Sequence, residues 1–304
     1  MTSRLTTRPF GSTGLTVSAL GIGASEIRAA EATDDTVDRL LTEALDAGVN
    51  VIDTAECYGD SEEKLGRTLG VGGRRGRFHL FTKVGHEHGW SAGEDYSAAA
   101  ITRTIDRSLS RLRTDHVELV QLHSCGVETL SRGECIEALE RARQQGKTRF
   151  IGYSGDNEAA AFAVATGRFD TLQTTISIAD QLGIDRWVAD AARRDMGIIA
   201  KRPIANAAWI ANLQPGAYGH EYVGRLHTLG YPFLSRPASE SAALALRFTL
   251  SVPGVHTAIV GTIRPGRVAD NARVLAAGPL SAADYAAIRS RWSQVAEPSW
   301  VGLT

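Results

Sequence analysis

Short apolar runs that end in a polar or charged residue recur along this chain. Val51-Ile52 ends in Asp53, His79-Leu80-Phe81-Thr82 in Lys83, and Leu119-Val120-Gln121-Leu122 in His123. Phe150-Ile151-Gly152-Tyr153 ends in Ser154, Thr171-Leu172 in Gln173, and Gly197-Ile198-Ile199-Ala200 in Lys201. Runs of this length suit strands buried on both faces. Polar groups at their ends suit parallel strands that present chemistry at one rim.

The stretches between the runs carry helical spacing. Asp34 or Asp35 is expected to cap a helix through about Ala47, with Leu40, Leu41 and Ala44 on one stripe and Gly48 as its stop. Further helices are expected over Ser61 to Leu69, from Ser97 through Leu112, over Leu130 to Gln145, Glu158 to Thr166, and Asp185 to Arg194. Phe10 to Leu20 reads as a Gly-turn hairpin leading into a first barrel strand, Ala19 to Gly23. Gly70 to Gly76 reads as a Gly/Arg loop. Gly85 to Tyr96, with His86, His88 and Trp90, is a loop beyond the third strand and so belongs at the C-terminal rim.

After Lys201 the rhythm breaks. Pro203 to Pro237 holds Trp209, Pro215, Tyr218, Tyr231 and Phe233. A long segment inside a compact domain is usually functional or disordered, and these aromatics favour an ordered pocket wall. Ser239 to Ser251 is a helix, His256 to Gly261 the eighth strand, Arg264 to Ala276 a helix, and Ser281 to Trp292 a last helix outside the alternation. No repeat or linker interrupts the pattern, so residues 1–304 are expected to form a single α/β barrel domain.

Composition narrows this picture. The chain has 304 residues, 43% apolar and 22% charged, with a formal net charge of −1. That balance favours neither nucleic acid nor membrane as a partner. No signal segment or spanning stretch is evident, so cytoplasmic location is the expectation. The three cysteines, Cys57, Cys125 and Cys135, fit a reducing compartment. Cys57 and Cys125 lie near Tyr58 and His123, but no CxxC pair marks a metal site, and none is expected.

The segment Val51 to Leu69, with Asp53-Thr54-Ala55 and Tyr58-Gly59 followed by Glu62 to Gly66, closely resembles the aldo-keto reductases. So do Phe81-Thr82-Lys83, Leu122-His123, Gly152-Tyr153-Ser154, Gln173 and the run Gly261 to Asn271. The resemblance spans nearly the whole chain in order. It implies a (β/α)8 TIM barrel, to which the N-terminal β-hairpin and extra C-terminal helices are added. It also implies NADPH bound across the C-terminal face and direct hydride transfer to an aldehyde or ketone, or the reverse oxidation of an alcohol or sugar.

The family's catalytic tetrad maps onto Asp53, Tyr58, Lys83 and His123. Carbonyl reduction needs hydride at carbon and a proton at oxygen. A phenol, with its ordinary pKa near ~10, is a reluctant acid at neutral pH. A Lys ammonium beside it stabilises the phenolate. Asp53 would hold Lys83 charged, and His123 would hydrogen-bond the substrate oxygen. Singly, each of these residues is more often a turn or core residue. Their joint placement on successive strand ends carries the assignment.

The resemblance further places Ser154 and Gln173 on the nicotinamide carboxamide. Gly155 stands where the family usually has Asn, and Asn157 is the candidate replacement. Ile176 replaces a common stacking aromatic, leaving an apolar floor. Thr262, Arg264 and Arg267 are expected at the 2′-phosphate, with Asp270 and Asn271 at the adenine. Gly261 replaces a frequent Lys there, and Arg264 is placed to supply its charge. Lys201 belongs to the same cofactor-binding set. Trp90 and Trp209 are the candidate substrate-pocket residues. Two other readings are a nucleotide-sensing regulatory subunit with little turnover and a cofactor-free barrel lyase with Lys83 as Schiff-base nucleophile. The missing GxGxxG argues against a Rossmann domain.

Overall fold

The computed structural model describes residues 5–86, 89, 95–211 and 213–303. Strands β1 (Thr7–Pro9) and β2 (Thr16–Ser18) pair antiparallel as a hairpin. Gly14, at φ 72°, takes the left-handed turn that a side chain would resist. Eight parallel strands then close into a barrel. They are β3 (Leu20–Gly23), β4 (Val51–Asp53), β5 (His79–Val84), β6 (Val117–His123), β7 (Thr148–Ser154), β8 (Thr171–Thr175), β9 (Gly197–Lys201) and β10 (Thr257–Gly261). β10 pairs with both β9 and β3, which removes any free edge.

Strand periodicity separates two cores. Val51, Phe81, Leu119 and Ile199 pack with Phe10, Leu15 and Val17 of the hairpin. Ile52, Leu80, Val120, Leu122, Ile151, Leu172 and Ile198 point the other way, into the larger core shared with the helices. The hairpin therefore plugs the N-terminal end of the barrel. Phe10, fully buried, stacks on Phe81 with ring centroids 5.8 Å apart. Burying such a ring contributes about 1.5–3 kcal/mol, and Phe10→Ala would open a void at the barrel floor.

The same parity positions the chemistry. Residues two beyond the floor residues point back into the barrel. Val51 is thus followed by Asp53, Phe81 by Lys83, Leu119 by Gln121 and His123, and Ile199 by Lys201. At Gly152 a Cβ would lie 2.2 Å from Thr171 Oγ1, so only glycine lets β7 and β8 approach as they do.

Helices cover the barrel: α1 (Asp34–Asp46), α2 (Ser61–Leu69), α3 (Ala98–Leu112), α4 (Val127–Arg132), α5 (Glu134–Gln144), α6 (Asn157–Thr166), α7 (Ala189–Arg193), α8 (Glu221–Leu229), α9 (Ala238–Ser251), α10 (Arg267–Ala276) and α11 (Ala282–Val295). Several boundaries differ from the expectation. Thr33, not Asp34 or Asp35, caps α1 by accepting the Thr36 N–H. The stretch from Leu130 to Gln145 is broken at Gly133, whose φ of 81° cannot continue a helix. The helix placed from Asp185 is a short π turn, Ile184–Val188, leading into α7. Gly70 to Gly76 is mostly a 3-10 turn, Val71–Arg77. The helix after β10 starts at Arg267 rather than Arg264, because Gly266 turns at φ 80°. The described residues between Pro203 and Pro237 include α8, with Tyr222 wholly buried. Among the described residues no helix is long and apolar enough to cross a membrane.

Candidate active site

At the C-terminal rim β4 and β5 bring Asp53 and Lys83 together, both 1% exposed. Lys83 Nζ donates to Asp53 Oδ1 and, at 2.9 Å, to the Thr54 carbonyl. Its third side meets the ring of Tyr58, 5.0 Å from Nζ to the centroid. Burial opposes the ammonium charge, but the Asp53 carboxylate outweighs it and holds Lys83 above its ordinary pKa. An amine so firmly protonated is a poor Schiff-base nucleophile. Desolvation pushes the Tyr58 phenol up to about 12, the Lys83 charge working against that rise.

His123 closes the group. Its ring stands edge-on to Tyr58 at 5.9 Å between centroids, and Nδ1 lies 3.5 Å from Cys57 Sγ. Burial, then the Lys83 charge, drives its pKa well below the ordinary value, so the imidazole is neutral. Its backbone carbonyl accepts from Tyr96 Oη and lies 2.9 Å from His86 Nε2. Ser124 follows at φ 67°, a left-handed turn that carries the chain off the rim directly after His123.

The four tetrad residues are therefore one cluster. A hydrogen-bond chain extends it. Gln173 Nε2 donates to Asp53 Oδ2 at 2.8 Å, and Ser154 Oγ donates to Gln173 Oε1 at 2.9 Å. His123, Ser154 and Gln173 sit side by side across β6, β7 and β8 by strand register. Asn157 is not part of this chain. Its amide donates to the Gly302 carbonyl at 2.9 Å and accepts the Gly302 N–H at 2.7 Å, so both ends are committed to the C-terminal segment. Ile176 is fully buried.

Lys201 faces Asp156 instead, with Nζ 3.0 Å from Oδ2. Burial lowers Lys201 to about 8 even so. Asp156 also accepts from Thr174 Oγ1 and the Thr175 N–H, each at 2.7 Å. Burial would raise this carboxyl, but Lys201 and Arg202 together hold it below the carboxylate range. Arg202 stacks over Tyr218, with Cζ 4.8 Å from the ring centroid.

The remaining cofactor candidates line the exit of β10. Thr262 is buried, and its Oγ1 accepts the Arg264 N–H at 3.1 Å. Arg264 and Arg267 are exposed and have no ion-pair partner among the described residues. Two exposed arginines within five residues of a threonine hydroxyl are donor types that fit a phosphate. Two carboxylates lie against the backbone of the same stretch. A Cβ on Gly261 would lie 2.0 Å from Glu26 Oε2, and Glu43 accepts the N–H groups of Gly266 and Ala269 at 2.9 and 2.8 Å. Asp270 pairs with Arg273 at 2.8 Å, and Asn271 is half-buried.

Trp209 packs half-buried against the core. Trp90 and His88 lie outside the described residues. Glu56, Asp156, Arg202, Glu26 and Glu43 escaped the sequence reading. Asp156 adjoins Gly155 and Arg202 adjoins Lys201, but Glu26 and Glu43 become neighbours of the β10 exit only when the barrel closes.

Residues 19–293 match the Aldo/keto reductase family. An oxidoreductase of Bacillus subtilis (strain 168), described as uncharacterized, is 26% identical over 94% of this chain and 96% of its own. L-galactose dehydrogenase of Arabidopsis thaliana is 37% identical, but over only 50% of this chain and 49% of that protein. An aldo-keto reductase from Bacillus halodurans, solved in its holo form, superposes with a TM-score of 0.79 at 26% identity and covers 95% of this chain and 96% of that one. A putative aldo-keto reductase from Pseudomonas aeruginosa gives 0.72 at 31% identity, covering 89% and 94%. With its closed eight-stranded barrel and the match across nearly its full length, the chain belongs to the aldo-keto reductase family and is an NAD(P)H-dependent oxidoreductase.

Proposed function

We propose that the protein reduces aldehydes or ketones with NADPH, or runs the reverse oxidation, with Tyr58 as the general acid. The observation that carries this reading is the position of Lys83, ion-paired with Asp53 and set over the Tyr58 ring. Bound NADPH supplies the hydride. The protein's own task is the proton and the orientation.

Tyr58 Oη gives its proton to the carbonyl oxygen as negative charge develops there. Lys83 stabilises the phenolate left behind, and Asp53 keeps Lys83 charged and aimed. Neutral His123 donates a hydrogen bond to the same oxygen and sets its position. Ser154 and Gln173 seat the carboxamide. Arg264, Arg267 and Thr262 bind the 2′-phosphate, against the opposing charges of Glu26 and Glu43. Asn157, held by Gly302, takes no part in the carboxamide seat. Trp209 lines the mouth of a site for small carbonyl compounds.

NADPH oxidation measured against a panel of aldehydes, ketones and aldoses tests this. Turnover of at least one carbonyl class, abolished in Tyr58→Phe, is expected. NADPH binding without turnover of any carbonyl, or of any alcohol with NADP+, would favour a nucleotide-sensing role instead.

A further inference from the structure

Three metal-ligand types meet beside the tetrad. Glu56, Cys57 and His123 each offer a ligand atom, and these atoms all lie within 4.8 Å of one another. Cys57 Sγ and His123 Nδ1 are 3.5 Å apart. Zinc–sulfur and zinc–nitrogen bonds of about 2.3 and 2.05 Å at a tetrahedral angle give an edge of about 3.6 Å. The pair is thus already at ligand spacing.

A second observation points to a missing partner. Glu56 is 4% exposed. Its Oε1 accepts the His86 N–H at 2.7 Å, while Oε2 is buried without a hydrogen-bond partner. A buried carboxylate oxygen left unsatisfied is costly and marks a place for a water or an ion. The His86 contact meanwhile fixes the carboxylate's orientation, as an outer-shell partner does in metal sites.

We propose that Glu56, Cys57 and His123 bind one thiophilic divalent cation of the zinc class. Oxygen, sulfur and nitrogen donors of this kind suit zinc or cobalt and not magnesium or calcium. The ion takes the place of the proton between Cys57 and His123. The Cys57 S–H bond breaks, the thiolate bonds to the ion and the proton passes to solvent, with no change of oxidation state. Imidazole Nδ1 binds as a neutral ligand. The Lys83 ammonium nearby opposes a cation, but Asp53 in direct contact largely cancels its field.

The site goes beyond the carbonyl-reductase reading, and its occupancy is measurable without turnover. The probe is cobalt(II) chloride, titrated into the protein alone and with NADPH bound. One equivalent should give a thiolate-to-cobalt charge-transfer band in the near ultraviolet, removed by added zinc. The band should vanish in Cys57→Ser. Cobalt affinity by equilibrium dialysis should fall at least tenfold in Glu56→Gln, with melting curves confirming that both variants fold. A wild-type protein without the band, a band that survives in Cys57→Ser, or an unchanged affinity in Glu56→Gln would overturn the assignment.

Discussion

Lys83 Nζ stands 5.0 Å from the centre of the Tyr58 ring while it is also ion-paired with Asp53. The phenol is thereby paired with a cation that cannot easily lose its proton. Tyr58→Phe removes only the hydroxyl and leaves the ring packed on Lys83 and His123. We expect cofactor binding to persist and turnover to fall by about two or more orders of magnitude. Steady-state rates beside a cofactor titration check this; near-normal turnover would take Tyr58 out of the mechanism.

Replacing Lys83 isolates its electrostatic role. Without the ammonium, nothing offsets the desolvation that already raises Tyr58 to about 12. Lys83→Met should therefore lower the reduction rate and move the apparent pKa of the pH–rate profile upward. A melting curve tells this from mere loss of fold. A folded, active variant with an unshifted profile would contradict the assigned role.

Charges of both signs meet at the β10 exit, so cofactor selectivity should move in both directions. Arg267→Ala should weaken NADPH binding by roughly ten- to a hundredfold and leave NADH nearly unaffected, since a charge-assisted contact is worth about 1.5–3 kcal/mol. Glu26→Gln removes the carboxylate lying against Gly261 and should raise the preference for NADPH. The quantity to measure is the ratio of the NADH to NADPH dissociation constants. A ratio unchanged by both substitutions would place the phosphate elsewhere.

Glu56 should leave a mark on stability. Burial raises its pKa from 4.5 to about 7 in the folded protein. The folded state then binds the proton more tightly than the unfolded chain. The contribution is complete below pH 4.5 and is lost as pH rises through about 7, a change on the order of 3 kcal/mol. Glu56→Gln cannot titrate, so the difference in unfolding free energy between wild type and variant should shift in the variant's favour across that window. Denaturant melts at several pH values measure it, and a constant difference would refute the argument.

Much of this is legible in the residues alone. The strand ends at Asp53, Lys83, His123, Ser154 and Gln173 are readable because each closes a short apolar run, the pattern of a strand buried on both faces. Helix α2 was readable at both ends because acids follow Ser61 and Gly70 follows Leu69. The break at Gly133 was not, since a glycine inside an apolar helical pattern is compatible with either outcome. Asn157 looked free to replace the missing carboxamide ligand. Only the return of the chain to Gly302, far away in sequence, shows its amide to be occupied. Glu26 and Glu43 belong to the first βα unit, and barrel closure alone sets them beside the last.

The chain from Ser154 through Gln173 and Asp53 to Lys83 has the shape of a relay between two halves of one reaction. On the proposed function, one end would lie at the seat of the hydride donor and the other would set the strength of the acid. On the proposed reading a disturbance at the seat does not stay there. Tilting the Gln173 amide loosens a hydrogen bond on Asp53, and a freer Asp53 steadies Lys83 less. The enzyme would then sense, through a few ångströms of side chain, whether its reductant is in place before it commits a proton.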